Sequence, residues 1–270
     1  MKKILCPTDF SDTASNAVAY AAKLAQAIKA DLTLFHVESI FDLAPAEVLR
    51  GEIAYTQIAE RLNSLSLEVS KAFKISCYAE TELGSRQLSS VINEKAKSYD
   101  LIVMGSNGAD DLYQFFTGSN TYNTTLKTRT PLLLIPANCV YSEIKSLIFA
   151  FDYFHEKNLP FGGITPFVKK LGCRLKILQV MAEPYSRQWN KDLREVESDL
   201  KRFYNDFEYE FDTIRSDEIA QSINSYMSRN QADVLALCSV QSNFIKRLFH
   251  KSVIKSISNY CNYPLYVFHQ

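Results

Sequence analysis

At 270 residues the chain is long enough for one large or two modest domains, each with its own core. A hydrophobic content of 47% and a charged content of 22% are those of an ordinary folded domain. Lys plus Arg equals Asp plus Glu at 30 against 30, so neither a nucleic acid nor a membrane surface is expected as a partner, and no apolar run reaches the roughly 18 residues of a spanning helix.

Lys3–Pro7 (KILCP) reads as a short apolar strand, and Thr8–Asp12 as a loop in which Ser11 or Asp12 caps a helix. From Thr13 to Lys29 the period is helical, with Ala17, Ala21, Leu24, Ala25 and Ile28 on one face. Asp31–Val37 is a second strand, and Pro45 to Lys71 is mainly helical. Lys74–Glu80 is a third strand, Gly84 a turn and Leu88–Ser98 a helix. Strands alternating with helices imply a parallel, doubly wound sheet.

The stretch Asp100–Pro136 carries the chemistry. An apolar strand, Leu101–Met104, breaks at Gly105. Gly108 follows, and nine residues later come Gly118 and Ser119, opening a helical segment to about Thr130. Leu132–Ile135 closes the stretch as another strand. The spacing is G-x2-G-x9-G-S. Glycine at the end of a buried strand admits a ligand to the backbone. A Gly-Ser pair at a helix start offers free N–H groups and the positive end of the helix dipole to a phosphate. Against this, no Lys or Arg occurs from Gly105 to Ser119, and Asp110 and Asp111 repel a triphosphate unless they face solvent or Mg²⁺ bridges them.

After Asn138 the pattern starts again. Leu5–Asp9 corresponds to Ile148–Asp152 and Ala30–Val37 to Cys173–Val180, both at an offset of 143. Asp100–Met104 corresponds to Asp233–Leu237 and Pro131–Leu134 to Pro264–Val267, both at 133. The second half is therefore a copy shortened by about ten residues. The reading is two tandem domains, 1–139 and 140–270. At these offsets Gly105, Gly108 and Gly118 become Cys238, Gln241 and Lys251, so the second crevice is not expected to bind a nucleotide in the same way. Lys246, Arg247, His250 and Lys251 form a basic cluster there, read as a solvated helix face or a site for another anion.

The opening KKILCPTDFSDTASNAVAYAAKLAQAIKADLTLFHV and the later DLIVMGSNG…TGSN resemble the universal stress protein family, strongly in the first half and weakly in the second. The resemblance implies, for each half, a five-stranded parallel sheet of order 3-2-1-4-5 flanked by helices. It implies an adenine nucleotide, ATP with Mg²⁺ as a candidate counter-ion. In that order the reversal lies between strands 1 and 4, where open α/β sheets bind ligands. Carried over residue by residue, Pro7, Thr8 and Val37 line the adenine side, and Met104 is a further cofactor-binding residue. Asp9 accepts from the ribose hydroxyls, Gly105 and Gly108 admit sugar and phosphates, and Gly118, Ser119 and Asn120 cradle phosphate. Each has a structural alternative: Asp9 as an Asx-turn, Val37 as strand core, Ser119 as a plain N-cap. His36 reads as a satisfied core histidine with no carboxylate at catalytic spacing.

No triad, metal-ligand spacing or GxxxxGK[ST] is present, so no catalytic or metal residue is assigned and ATP hydrolysis is expected to be slow at most. The six scattered cysteines read as buried free thiols. They and the short N-terminal apolar run point to the cytoplasm. The closing strands lie at sheet edges, and pairing them predicts an intrachain pseudo-dimer, with a further homodimer and an unidentified protein partner as open possibilities. The leading function is a stress-response regulator binding one nucleotide in the first half. The alternative is a nucleotide-free protein–protein interaction module on the same fold. An adenylyl-transferring enzyme is disfavoured, because neither an HxGH-like element nor an SGGxD loop occurs.

Overall fold

The computed structural model describes residues 1–39, 45–84, 88–106, 128–151, 161–181, 189–204, 207–238 and 263–268. The chain divides into two compact units, the first closing at Tyr141 and the second opening at Ser142.

The first unit holds β1 (Lys3–Pro7), α1 (Asp12–Ile28), β2 (Asp31–Ser39), α2 (Pro45–Phe73), β3 (Cys77–Gly84), α3 (Leu88–Ala96), β4 (Leu101–Ser106) and β5 (Leu132–Pro136). Its strands lie in the order β3-β2-β1-β4-β5, all parallel. β1 is central and reads as a continuous apolar run because both its faces are covered: Ile4, Leu5 and Cys6 are fully buried. α1 forms where the apolar residues recur at helical spacing. Ala17, Ala21, Leu24 and Ala25 are buried, and the chain leaves the helix through Lys29 in the left-handed region, φ 53°.

The second unit holds β6 (Ser146–Phe151), a 3₁₀ turn at Phe161–Gly163, α4 (Thr165–Leu171), β7 (Arg174–Met181), α5 (Trp189–Phe203), β8 (Tyr209–Arg215), α6 (Ile219–Arg229), β9 (Val234–Cys238) and β10 (Leu265–Phe268). Its order, β10-β9-β6-β7-β8, is that of the first unit, again parallel throughout.

The strand registers repeat at the two sequence offsets. Ile4 pairs with Leu32 and Leu147 with Leu175; Ile102 pairs with Leu132 and Leu235 with Leu265. One carboxylate fastening is also repeated. Asp100 Oδ2 accepts from the backbone N–H of Lys2 and of Lys3, at 2.5 and 3.0 Å, and Asp233 Oδ2 accepts from those of Lys145 and Ser146, at 2.8 and 2.9 Å. Each Asp stands just before the fourth strand of its unit and ties down the start of the first.

The third strand differs from expectation. It begins at Cys77, because Lys74 takes a left-handed conformation (φ 54°) that turns the chain out of α2. It then runs on to Gly84, because β2 extends to Ser39 and offers a partner for every residue. Gly84 is thus a strand end. Of the cysteines, Cys6, Cys139 and Cys173 are buried free thiols, Cys77 is a half-buried one, Cys238 is buried, and Cys261 lies outside the described residues. Among the described residues no helix is long and apolar enough to cross a membrane.

Candidate functional site

β1 and β4 pair only at Ile4–Leu101 and Leu5–Ile102. β1 continues to Pro7 and β4 to Ser106, each hydrogen-bonded to its outer neighbour, β2 and β5. The two strands therefore part at their carboxyl ends, at the point where the strand order reverses, and open the crevice that the topology requires.

Asp9 stands on the β1 side. Its Oδ1 accepts from the Ser11 backbone N–H at 3.0 Å and the Ser11 hydroxyl at 2.6 Å, an Asx-turn. Ser11 Oγ in turn accepts from Ala14 N–H at 3.2 Å, so Ser11, not Asp12, caps α1. Burial pushes the Asp9 carboxyl up, but the bonds from Ser11, a backbone bond at Asp9 itself and the nearby His36 outweigh it, and the net direction is down. Asp9 is exposed, and both bonds from Ser11 land on Oδ1.

Thr8 is buried, and its N–H continues the β1–β2 ladder by donating to Phe35 O at 2.9 Å. Backbone groups on a strand alternate in direction, so Val37 turns its N–H and C=O to the same side as Phe35, past the end of β1. Pro7, Val37 and Met104 are half-buried around the opening. His36 is buried, with Nδ1 2.8 Å from Thr8 O and Nε2 3.2 Å from Glu38 Oε2. The sequence reading missed this carboxylate, although residues two apart on a strand share a face. Phe10 packs its ring 5.2 Å from that of His36, and the Arg61 guanidinium of α2 lies 4.2 Å over Phe10. A stack of Arg61, Phe10 and His36 thus backs the Asp9 loop. Its signal in sequence was faint, since Arg61 stands fifty-one residues from Phe10.

On the β4 side, Gly105 is required whether or not a ligand binds. A Cβ there would stand 2.6 Å from Thr13 O and 2.7 Å from Thr13 Cγ2. α1 begins so close to the end of β4 that only glycine fits. Ser106, which no sequence motif singled out, is buried, and its Oγ has no hydrogen-bond partner among the described residues. A buried hydroxyl without a partner at the mouth of the crevice suits a polar ligand group. A carboxylate, two strand-end backbone groups and a buried hydroxyl thus face the opening, donors and acceptors that suit a polar, hydroxyl-bearing ligand. Gly108, Gly118, Ser119 and Asn120 lie outside the described residues, as do Asp110 and Asp111.

In the second unit the register puts Cys238 at the place of Gly105, since Gly105 pairs with Ile135 and Cys238 with Phe268. Cys238 is fully buried. The helix after β6 spans seven residues against seventeen for α1. Asp152, Gln241 and Lys251, with the basic cluster from Lys246, lie outside the described residues.

The model of the universal stress protein family matches residues 1–136. Among solved structures, a universal stress protein from Archaeoglobus fulgidus is 17% identical, covers 99% of this chain and 98% of its own, and superposes with a TM-score of 0.70. A putative universal stress protein from Pseudomonas aeruginosa is 11% identical over 100% of this chain and 93% of its own, with a TM-score of 0.57. Both likenesses concern the fold, and both extend over the two halves. No curated protein matches the chain.

Proposed function

The chain belongs to the universal stress protein family, and on that premise we propose that it is a stress-response regulator binding one adenine nucleotide, ATP, in its first unit. The observation that carries this reading is the parting of β1 and β4 at the strand-order reversal, with Asp9 on one lip and Gly105 and Ser106 on the other. Bound ATP brings ribose hydroxyls and a chain of phosphates. Asp9 Oδ2 would accept from the ribose, Pro7, Thr8, Val37 and Met104 would border the base, and Gly105, Gly108, Gly118, Ser119 and Asn120 would meet the sugar and phosphates, with Mg²⁺ offsetting Asp110 and Asp111. The reading includes no dedicated catalysis and at most slow hydrolysis. It places the protein in the cytoplasm, with domains 1–139 and 140–270 forming an intrachain pseudo-dimer open to a further homodimer and to a protein partner.

The test is the nucleotide content of freshly purified protein, released by denaturation and resolved by anion exchange. About one adenine nucleotide per chain, lost in Gly118→Val, is the expected result. An empty protein that also gains no thermal stability from ATP·Mg would overturn it, since a ligand bound only by the folded state raises apparent stability.

A second reading, a nucleotide-free interaction module, draws on a specific observation. Asp9 already holds Ser11, and Gly105 already accommodates Thr13, so both have work to do without a ligand. The same thermal-shift measurement separates the two.

A further inference from the structure

At the amino ends of the first unit's strands, away from the crevice, two lysines hold a backbone conformation that favours glycine. α1 runs out through Lys29 at φ 53° and α2 through Lys74 at φ 54°. In both, the next residue donates its N–H five places back, Ala30 to Ala25 O at 2.9 Å and Ile75 to Ser70 O at 3.3 Å, so one helix-ending turn is built twice. Gln26 Nε2 donates to Phe73 O at 2.7 Å and joins the two helix ends. Asp31 N–H donates to Lys2 O at 2.8 Å, which brings Lys2 to the same corner. Lys71 lies in the last turn of α2, and Leu67, one turn earlier on the same face, is 59% exposed.

The fold does not ask for lysine at such a place. Gly172, at the offset of 143 from Lys29, ends α4 at φ 67° without strain. The helix dipole accounts for basic residues inside a last turn, such as Lys169 and Lys170 of α4. It gives no reason to bear left-handed strain twice, when a lysine one residue earlier would serve the dipole as well. Lys2, Lys29, Lys71 and Lys74 are all exposed, and among the described residues none of them forms an ion pair. Of the carboxylates at this end, Asp100 holds the Lys2 and Lys3 N–H groups and faces the Lys3 ammonium, and Glu94 is paired with Lys97. Asp31 and Glu68 remain against the four lysines. An ammonium is a solvated point charge that takes a carboxylate as readily as a phosphate, and none of these residues is an arginine that would grip a phosphate by paired bonds. Leu67 adds an apolar foothold, which a peptide side chain can use and a phosphate backbone cannot.

We propose that this corner of the first unit is a docking surface for an acidic peptide segment of a partner protein, with carboxylates on Lys29, Lys71 and Lys74 and an apolar side chain on Leu67. It rests on the protein-partner part of the reading above, to which it gives a place and a chemistry, and not on the nucleotide.

The experiment is fluorescence anisotropy of a labelled polyglutamate peptide with leucine at every fourth place, titrated with the full chain at low and at physiological salt. Binding should be saturable and should weaken as salt rises. Lys29→Glu combined with Lys74→Glu should weaken it about tenfold, and Lys29→Gly about threefold. Lys29→Gly should also keep or raise the parent melting temperature, because glycine takes φ 53° without strain. Leu67→Ser should weaken the leucine-bearing peptide about threefold and leave plain polyglutamate unchanged. Lys170→Glu, in the second unit, should leave both peptides bound as before. The peptide should bind equally well whether or not the preparation carries nucleotide, so this proposal and the nucleotide reading fail separately. Absence of saturable binding at low salt would overturn the proposal, as would binding that survives the double charge reversal. A lower melting temperature for Lys29→Gly would give that lysine a structural task and overturn it too. So would tighter binding of single-stranded polyuridylate or of anionic vesicles than of the peptide.

Discussion

Thr13 occupies the space that a side chain on Gly105 would need, its carbonyl oxygen 2.6 Å from the place of the missing Cβ. The contact is with backbone, so no rotamer change relieves it. Gly105→Ala should cost about 1–3 kcal/mol by forcing the start of α1 off the sheet. Urea unfolding with a probe in each unit should show the loss in the first unit and leave the second unchanged. A fully stable Gly105→Ala would mean that α1 can withdraw at no cost.

The paired fastenings at Asp100 and Asp233 invite a matched test. Asp100→Asn and Asp233→Asn should each destabilise their own unit by about 1 kcal/mol, the net worth of one or two charge-assisted bonds at an exposed (Asp100) or half-buried (Asp233) site. Separate unfolding transitions, or hydrogen exchange at Lys3 and Ser146, report which unit has loosened.

Acid should act through Asp9 and Asp100. Burial raises each carboxyl, the hydrogen bonds each accepts lower it further, and both end below the ordinary value of 3.8. A folded-state value below the unfolded one contributes stability that is present above the unfolded value and is lost as pH falls through the folded one. The first unit should therefore lose stability progressively below about pH 4, and Asp100→Asn should flatten that dependence. Calorimetry between neutral and acid pH measures it.

Ser11 has two tasks, capping α1 and holding Asp9. Ser11→Ala should cost about 1 kcal/mol as a lost cap and should raise the Asp9 carboxyl, visible by carbon NMR. Ser11→Asp should restore the cap and still leave Asp9 raised, since a second carboxylate would face it.

Phe10 combines strain with attachment. Its φ of 64° is unfavourable for an aromatic residue, yet its ring joins His36 to Arg61. Phe10→Gly relieves about 1 kcal/mol of backbone strain and gives up a cation–π contact of about 0.5–1 kcal/mol together with buried area. The expected net is a small loss of stability, with the Arg61 side chain released; Arg61 Nε dynamics by NMR would show it.

The strands, the duplication and its two offsets were legible in the sequence because buried parallel strands are near-continuous apolar runs and because Asp9, Gly105 and Asp100 serve as landmarks, whereas the strand order came from the family resemblance. What escaped was set by contacts remote in sequence. Glycine at 105 was read as room for a ligand, and Thr13, ninety-two residues away, turns out to need it. His36 was read without a carboxylate, yet Glu38 reaches it by the two-residue repeat of the strand. The extension of β3 to Gly84 depended on the length of β2, not on the residues of β3 itself.

The central place of β1 and β6 carries a consequence for synthesis. The ribosome releases each of these strands long before the fourth strand that must lie against it, about a hundred residues later in the first unit and nearly ninety in the second. Until then one edge of a largely apolar strand stays unsealed, and the pairing that closes it is also the most distant in sequence within the unit, a slow step by its topology. Each half is thus most exposed to aggregation or chaperone capture just before its last two strands emerge.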